Sequence, residues 1–245
     1  MCGRYVSASS AEEIAAFFGV DAIGDPLEEN YNVAPTEDVY VVYEDGSQRR
    51  IDAFRWGLVP GFAKDLSIGN RMINARAETV ATNNAFKRSF AGRRCIVPAD
   101  GFYEWHAVPG RTNAKGKPVK QPYYIHRADD APLAFAGLWA EWKGDVAGQR
   151  TVVRSTTIIT TTASDEMGRI HDRMPVILPA PTWDLWLDPE VHAVERIAPL
   201  LVPAGAGALT MHPVSTEVNN VRNDGRQLIE EIDPNEPTDG QTTLL

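Results

Sequence analysis

Residues 39–56 read VYVVYEDGSQRRIDAFRW, and this stretch decides the fold class. Its first half consists mainly of β-branched and aromatic residues, which are enriched in strands, and its second half returns to such residues up to Trp56. The Asp45-Gly46 pair between the halves is typical of a tight hairpin turn, because glycine accepts the positive φ that such a turn needs. The stretch therefore predicts two adjacent antiparallel strands.

Strand-like segments continue downstream of this hairpin. Four of them share its β-branched and aromatic character: RCIVPADGFYEW (94–105), QPYYIHR (121–127), PLAFAGLWAEW (132–142) and TVVRSTTIITTTA (151–163). Asp100-Gly101 predicts a turn or a bulge within the first of them. The polar segment VPGRTNAKGKPVKQ at 108–121 is rich in Gly and Pro, and it predicts a surface loop that joins two strands.

Helices are predicted at the edges of this strand-rich region. The segment SSAEE at 9–13 offers two overlapping capping boxes, and Gly19 ends the helix that follows. Thr82 or Asn83 is expected to cap a short helix that runs through Phe90. Two more helices are predicted later in the chain, one starting in PTWDLWL (181–187) and the next running to about Pro199.

These elements predict one α+β domain over residues 1–228, with a curled, largely antiparallel, barrel-like sheet and peripheral helices. No internal repeat and no linker interrupts the strands between about residues 38 and 178. The remaining residues 229–245 are polar and are expected to form a flexible tail. The alternating βα pattern of nucleotide-binding parallel sheets is absent, as are GxGxxG and the phosphate loop.

The charge distribution leaves two interpretations open. A formal net charge of −9 argues against a protein that coats nucleic acid by charge alone. Residues 64–94 nevertheless carry seven basic and two acidic side chains. Such a basic belt can hold a short stretch of phosphate backbone, or it can be an ordinary solvated face.

Cys2 and Cys95 are the two cysteines of the chain, too few for a disulfide framework or a cysteine metal site. Cys95 lies in the apolar run CIV and is expected in the core. The five histidines lack metal-ligand spacing, so neither a metal nor a cofactor is predicted. No apolar run approaches the length of a membrane span, and the N-terminus lacks a signal pattern. We therefore expect a cytoplasmic protein.

Cys2 directly follows Met1, and removal of Met1 would leave an amine and a thiol on adjacent carbons. With ordinary pKa values of roughly 8 and roughly 8.5, both are usable nucleophiles at neutral pH. An aldehyde would first form a Schiff base with the amine, and the thiol would then close a five-membered thiazolidine. On position alone, a cysteine at residue 2 can also be incidental.

Three polar residues lie where a strand-like run meets a turn, a place where scaffolds carry catalytic side chains. They are Asn74 in INARAET, Glu104 in ADGFYEW and His171 in GRIHDRMPVIL. Each also has a structural interpretation, since Asn74 could cap a turn, Glu104 could face solvent and His171 could be a satisfied polar residue.

Seven motifs, in order from residue 2 to about residue 226, together resemble the SRAP family. Its members were named SOS response-associated peptidases and are understood as abasic-site-processing proteins. The motifs are MCGRY (1–5), YNVAP (31–35), RWGLVPGFAKD (55–65), INARAET (73–79), CIVPADGFYEW (95–105), IHDRMPVIL (170–178) and MHPVS (211–215). The resemblance implies the SRAP fold for the whole domain.

The resemblance also implies an enzyme with Schiff-base chemistry that bonds covalently to single-stranded DNA at an abasic site and so shields the site during the DNA damage response. Cys2 is the implied nucleophile, through its amine and its thiol after Met1 is lost. Asn74 matches the family asparagine that holds these two groups. Glu104 matches the glutamate that shuttles protons, and His171 matches the histidine that assists proton transfer at the sugar hydroxyl.

Six residues are expected to contact the DNA: Arg4, Pro35, Phe62, Arg76, Trp105 and Arg173. The three arginines each lie within two residues of an implied catalytic residue, so they can grip phosphates beside the lesion. Trp105 offers a platform for base stacking. Phe62 stands where the family often has a tryptophan, which predicts weaker stacking at that position. Pro35 is expected to shape the wall near the N-terminus.

The expected partner is therefore single-stranded DNA with abasic sites, and replication or repair proteins are further expected partners. We expect a monomer that associates with the nucleoid when it is bound to DNA. Two alternatives stay open. One is an N-terminal-nucleophile thiol hydrolase, a peptidase or amidohydrolase that uses Cys2. The other is a non-catalytic single-strand binding module built on the basic belt.

Overall fold

The structure is a computed structural model, and it describes residues 2–234. Its strands are β1 (Tyr5–Ser7), β2 (Ala22–Ile23), β3 (Asn30–Val33), β4 (Asp38–Asp45), β5 (Gln48–Trp56), β6 (Asn74–Arg76), β7 (Arg94–Ala99), β8 (Gly101–Thr112), β9 (Pro118–Arg127), β10 (Leu133–Val146), β11 (Gln149–Thr162), β12 (Arg173–Pro175) and β13 (Leu209–Pro213). Its α-helices are α1 (Ala11–Phe18), α2 (Lys87–Gly92), α3 (Asp165–Gly168), α4 (Trp183–Leu187) and α5 (Val194–Ile197).

The strands form two sheets, which confirms the predicted strand-rich α+β class. The smaller sheet has five strands in the order β13-β9-β8-β1-β3, all antiparallel. The larger sheet has eight, with the path β12-β11-β10-β7-β4-β5-β2 and β6 paired to β11. Three of its pairings are parallel: β2 with β5, β11 with β5 and β11 with β6. The sheets are thus largely antiparallel, as the sequence predicts.

The hairpin at residues 39–56 is confirmed, with a turn one residue later than the Asp45-Gly46 pair suggests. Asp45 still pairs with Gln48 as the last residue of β4, so Gly46 and Ser47 form the turn. Gly46 has a φ of 64°, the left-handed conformation that glycine adopts without strain. The sequence therefore identifies the correct glycine and misplaces the turn around it.

Helix α1 also forms as predicted. The Ser10 side chain accepts a hydrogen bond from the Glu13 N–H, and the Glu13 carboxylate accepts one from the Ser10 N–H, which completes a capping box. Gly19, at a φ of 66°, ends the helix. The predicted C-terminal helices are present as α4 and α5, both short.

Two predicted segments differ in part from the structure. Helix α2 is assigned from Lys87, four residues after Asn83. The Asn83 carboxamide accepts from the Ala85 N–H and the Asn83 carbonyl accepts from the Lys87 N–H, so Asn83 caps the turn that leads into the helix, as predicted. The predicted surface loop at 108–121 is mostly strand, since β8 and β9 continue to a pairing of Thr112 with Pro118. Backbone pairing tolerates polar side chains where both faces of a hairpin are exposed.

The chain passes from the larger sheet to the smaller one at Asp100-Gly101, the predicted turn or bulge. The Asp100 carboxylate accepts hydrogen bonds from the N–H groups of Ala8 and Ser9, at 2.6 and 3.0 Å, and so ties this crossing to the N-terminal segment. Gly101 is required here, because a Cβ would lie 2.4 Å from the Tyr124 ring. The crossing brings β8, with Glu104, alongside β1.

Most buried apolar residues divide between two large clusters. One lies between the larger sheet and the helices and includes Phe18, Phe90 and Trp186. The other, here named the inter-sheet core, contains Cys2 together with residues of both sheets, such as Phe102 of β8 and Ile158 of β11. The start of the chain is therefore part of the main hydrophobic core.

The C-terminal segment returns to the smaller sheet. The Ile229 carbonyl lies 2.8 Å from the His212 Nε2, and the Ile232 N–H donates to the Pro213 carbonyl at 3.0 Å. Of the predicted polar tail at 229–245, residues 235–245 lie outside the described part of the chain. Within residues 2–234, none of the helices is both long and apolar enough to cross a membrane.

Candidate active site

Cys2 lies at the inner end of the first strand pairing. Tyr5 of β1 pairs with Phe102 of β8, and continuing this antiparallel register toward the N-terminus places Gly3 opposite Glu104. The Cys2 side chain is completely buried in the inter-sheet core. A residue so close to the N-terminus is rarely buried unless the fold holds it there.

Asn74 holds Cys2 directly. Its Nδ2 donates a 2.7 Å hydrogen bond to the Cys2 carbonyl. Strand β6 fixes Asn74 through its parallel pairing with Ile158 of β11, and the Trp56 indole donates to the carbonyl of the preceding Ile73. The Asn74 Oδ1 is buried and accepts no hydrogen bond within residues 2–234, so an acceptor stays available beside Cys2.

Glu104 is the second polar group beside Cys2. Its side chain is 2% exposed, on the strand opposite the N-terminal segment. Burial raises the pKa of the Cys2 thiol far above its ordinary value, and the negative charge of Glu104 raises this pKa further. The Cys2 thiol is therefore neutral at pH 7.

His171 is brought toward this region by its flanking residues. Met167 and Met174 are both buried in the inter-sheet core that contains Cys2, and the His171 N–H donates to the Met167 carbonyl. The His171 Nδ1 lies 3.0 Å from the Arg173 N–H and 2.8 Å from an Asp172 carboxylate oxygen. A neutral Nδ1 accepts from Arg173, whereas a protonated Nδ1 donates to Asp172.

Arg4, predicted to grip a phosphate, has contacts within the protein. Its Nη1 donates to the Asn32 side chain at 2.7 Å and to the Val218 carbonyl at 2.9 Å, and its guanidinium lies 6.0 Å from the Trp105 ring. Trp105 in turn donates its indole N–H to the Asn219 side chain at 2.7 Å. Arg4 thus holds the N-terminal segment in place, and a phosphate contact through its remaining nitrogens stays a prediction.

Arg173 is also engaged. It binds Glu78 through both terminal nitrogens, at 2.6 and 3.0 Å, and donates to the Thr160 carbonyl at 2.6 Å. Hydrogen bonds from Arg173 lower the pKa of Glu78. A phosphate at Arg173 would compete with Glu78, whereas Arg76 is exposed on β6, next to the inter-sheet core.

The remaining predicted DNA contacts lie at the surface. Phe62 is 69% exposed, in the loop between β5 and β6. Pro35 is partly exposed and precedes Thr36, whose N–H donates to the Trp56 carbonyl at the end of β5. Trp105 follows Glu104 in β8, and because side chains alternate along a strand, the two residues lie on opposite faces of the smaller sheet.

The basic belt at 64–94 is not one continuous surface. Arg94 is 2% exposed and donates to the carbonyls of Trp186, Phe90 and Ala91, so it satisfies backbone groups at helix ends in the interior. Arg93 stacks on Trp139, with 5.0 Å between its guanidinium and the ring. The C-terminal end of the basic belt, at Arg94, therefore lies in the core and is not part of a basic surface.

Cys95 is a core residue, as predicted. It is completely buried, and burial raises its pKa to about 12. Among residues 2–164 and 167–234, whose side chains the structure describes, no group of three or more His, Cys, Asp or Glu side chains could hold a metal ion.

Tyr5 is a site residue that the sequence reasoning missed. Its ring packs edge-on against Trp56, with 5.2 Å between centroids, and its hydroxyl is buried without a hydrogen-bond partner in the described structure. Burial raises the pKa of Tyr5, and the adjacent Cys2 raises it further, so the hydroxyl keeps its proton. Only its place in the opening motif MCGRY could have pointed to it.

Comparisons with known proteins agree on one family. The family model described as SOS response associated peptidase (SRAP) matches residues 1–221. The chain is 38% identical over 232 residues to abasic site processing protein YoaM of Bacillus subtilis, with 94% of this chain and 98% of that protein covered. It is 33% identical over 241 residues to abasic site processing protein YedK of Escherichia coli, covering 95% and 100%.

Solved structures agree with the fold. A protein from Bacteroides thetaiotaomicron superimposes with a TM-score of 0.80 at 23% identity, over 94% of this chain and all of that one, which supports the fold alone. A phage-related protein from Bordetella bronchiseptica superimposes with a TM-score of 0.67 at 30% identity, over 87% and 94% of the two chains.

Proposed function

The chain belongs to the SOS response associated peptidase (SRAP) family, and from this premise we propose that it processes abasic sites in DNA by bonding to them covalently through Cys2. The observation that carries the proposal is the burial of Cys2 between Asn74 and Glu104. A fold that buries its second residue beside the polar side chains of Asn74 and Glu104 has a use for the start of its chain. The relatives named above act, by name, on abasic sites.

The proposed reaction needs the amine that removal of Met1 exposes on Cys2. The ring-opened abasic sugar carries an aldehyde. The amine adds to this carbon, and loss of one water molecule gives a Schiff base. The thiol then adds to the same carbon while its proton passes to the imine nitrogen, which closes a thiazolidine ring. One C–N bond and one C–S bond form, and no oxidant or reductant is required.

The electrostatics of Cys2 favour the amine as the first nucleophile. Burial and the Glu104 charge both raise the thiol pKa, so little thiolate is present at neutral pH. A free α-amine with an ordinary pKa of roughly 8 is partly deprotonated there. The thiol is instead positioned to react second and intramolecularly, where proximity compensates for its protonated state.

Proton transfer falls to Glu104 and His171 in this proposal. Imine formation removes a proton from the amine and delivers one to the departing oxygen, which is general acid–base work. Glu104 lies close enough to shift the thiol pKa of Cys2, so it is placed for the proton steps at Cys2. His171, held at Nδ1 by the segment that follows it, is assigned the sugar hydroxyl. Asn74 orients Cys2 through the carbonyl it binds.

The same observations weigh against a thiol hydrolase. Cysteine hydrolases use a thiolate whose pKa is lowered by a cation or a helix N-terminus. The Cys2 pKa is raised overall, because burial and the Glu104 carboxylate raise it by more than the positive N-terminal amine lowers it. A peptidase or amidohydrolase function therefore has less support than the covalent DNA adduct.

Single-stranded DNA is the proposed substrate. Arg76, two residues from Asn74 on β6, and Phe62, in the loop between β5 and β6, are exposed and are proposed to contact a phosphate and a base beside the lesion. Trp105 and Arg4 are proposed to contact the strand on the other face of β8, and Arg173 is proposed to bind a phosphate in exchange for Glu78. The adduct would shield the lesion during the DNA damage response.

The test is covalent capture of an abasic oligonucleotide by protein whose Met1 has been removed. We expect a heat-stable protein–DNA band on a denaturing gel and an intact mass equal to protein plus DNA minus one water. Cys2→Ala should abolish the band, whereas the matched variant Cys95→Ala should keep it. Absence of the band in correctly processed, folded protein would refute the proposal.

A single-strand binding module makes a different prediction for the same samples. Such a module would bind intact and abasic strands equally, and its wild type would form no covalent band. The Cys2→Ala change would leave its binding unchanged. The covalent hypothesis requires the band in the wild type. It is compatible with salt-sensitive DNA binding by the Cys2→Ala variant.

A further inference from the structure

The outer parts of β8 and β9 form a projecting hairpin, residues 106–121, here named the basic arm. All of its charged side chains are positive: Arg111, Lys115, Lys117 and Lys120. These four residues are exposed, and none of them has an ion pair with another residue of the described chain. In a protein with a net charge of −9, this is an isolated region of positive charge.

The basic arm is a direct continuation of the candidate active site. Strand β8 carries Glu104 and Trp105 and then runs outward into the arm. Trp105 pairs with Pro122, and two residues farther out Ala107 pairs with Lys120. Paired residues, and residues two apart on one strand, share a sheet face. Lys120 therefore lies on the same face as Trp105, which is the face opposite Glu104.

The tip of the arm has a defined geometry. The Asn113 side chain accepts hydrogen bonds from the N–H groups of Lys115 and Lys117, at 2.9 and 3.0 Å, and the Asn113 N–H donates to the Lys117 carbonyl. Strand β8 bulges between Ala107 and Thr112, where it has three more residues than β9. The reach of the arm is therefore set by β9, and at about 3.3 Å per residue it is about 13 Å from Pro122 to Pro118. The positive charges are thus presented along a fixed direction.

We propose that the basic arm binds the phosphate backbone of DNA that extends beyond the abasic site on the Trp105 side. This inference rests on the proposed function, which places DNA at Cys2. The arm contains no Phe, Tyr or Trp, so it lacks the stacking platforms that bind unpaired bases. Its contacts are therefore with phosphates and are independent of sequence. Its reach corresponds to about 4 nucleotides at 3.4 Å each.

The experiment measures reversible binding as a function of salt, in a Cys2→Ala background that cannot form the adduct. Lys117→Gln/Lys120→Gln is compared with Arg150→Gln/Arg196→Gln, which removes the same charge from exposed positions outside the arm. Three DNA probes carry the same abasic site: a short single strand, a strand extended on both sides, and the same strand with its extensions made duplex.

We expect the arm variant to bind an extended probe more weakly and with a shallower salt dependence. For two lost phosphate contacts, the slope of log K against log salt should fall by about 1.4 with a single-stranded extension or about 1.8 with a duplex one. The short probe and the control variant should keep the wild-type slope. The extension, single-stranded or duplex, for which the arm variant loses affinity identifies the form of DNA that the arm binds.

The proposal is overturned if neither extended probe distinguishes the arm variant from the control variant, or if the short probe loses as much affinity as the extended ones. Its failure is separable from failure of the proposed function. The proposed function is tested by the covalent band that the short probe forms with protein in which Cys2 is intact. That band should be equally strong with and without the Lys117→Gln/Lys120→Gln change.

Discussion

The chemistry at the residue scale depends on one charge beside one thiol. Glu104 is buried, and its carboxylate raises the thiol pKa of Cys2. The same carboxylate is the proposed proton carrier for the amine of Cys2. Burial is the main reason that the thiol is neutral, and Glu104 adds to this effect. In the proposed reaction, the same Glu104 side chain also serves the amine step that precedes attack by the thiol.

Replacing Glu104 with Gln should separate these two effects. We expect the Cys2 thiol pKa to fall, because a negative charge is removed, and adduct formation to slow by about 100-fold, because the proton carrier is lost. The thiolate absorbance of Cys2 is titrated in a Cys95→Ser background, and the rate is measured at saturating abasic DNA. Glu12→Gln, on the exposed face of α1, is the control.

The stability effect of Cys2 has a defined sign. Its folded-state pKa lies above the ordinary value of 9.0, so the stability that this neutral thiol provides is complete below pH 9 and is lost as the pH rises further. Glu104→Gln should begin this loss at a lower pH than the wild type. A thiol pKa that rises or stays constant in Glu104→Gln would contradict the placement of the carboxylate beside Cys2.

At the scale of elements, the loop between β5 and β6 is positioned by two glycines that touch. Gly57 has a φ of 121°, and a Cβ on Gly69 would lie 2.5 Å from the Gly57 carbonyl oxygen. The adjacent Leu58 N–H donates to the Met72 carbonyl at 3.0 Å. This close approach holds the two ends of the loop together and positions the start of β6, where Asn74 donates to the Cys2 carbonyl.

Gly69→Ala should therefore affect both stability and chemistry. Overpacking against backbone costs about 1–3 kcal/mol, or a melting temperature lower by about 3–10 °C in a domain of this size. Adduct formation should slow as well, because β6 is displaced. Thermal denaturation and crosslinking rates test this against Gly205→Ala, where a Cβ meets no atom within 4 Å. Equal melting temperatures in the two variants would refute the argument.

Local elements could be predicted wherever the decisive interactions are local. The capping box of α1 and the glycine of the first hairpin depend on residues three or fewer positions apart, and both form as predicted. Asn83 likewise caps the turn that leads into α2, although the helix itself is assigned only from Lys87. The polar sequence of residues 108–121 predicts a loop, because the backbone pairing that makes this segment a hairpin leaves no hydrophobic pattern.

At the scale of the whole molecule, the site could not be assembled from local patterns. Cys2, Asn74 and Glu104 come from distant parts of the chain and meet only because Asp100-Gly101 switches the chain between sheets. Their selection from the sequence came from the resemblance to the SRAP family. Periodicity alone left each of them with a plain structural explanation, because the site lies between two sheets rather than on one element.

The two ends of the described chain are also joined around the site. The Asn32 side chain is 1% exposed and donates to the carbonyls of Val218, Asn220 and Asn223. It also accepts from Arg4. We name residues 214–232 the C-terminal clasp. Side chain-to-carbonyl contacts of this kind have no sequence signature, which explains why the clasp was not predicted.

Asn32→Ala should loosen the clasp and weaken DNA binding without impairing the chemistry. Losing these bonds leaves buried carbonyls without donors, so we expect a destabilisation of about 2–3 kcal/mol and faster hydrogen exchange across residues 214–232. Arg4 and Trp105 lose supports, so the Kd for abasic DNA should rise, while the adduct rate at saturating DNA stays near that of the wild type. Asn83→Ala, which removes a surface turn bond, is the control. Unchanged hydrogen exchange across residues 214–232 would show that Asn32 does not hold the clasp in place. A lower adduct rate at saturating DNA with an unchanged Kd would show that the clasp affects the chemistry rather than DNA binding.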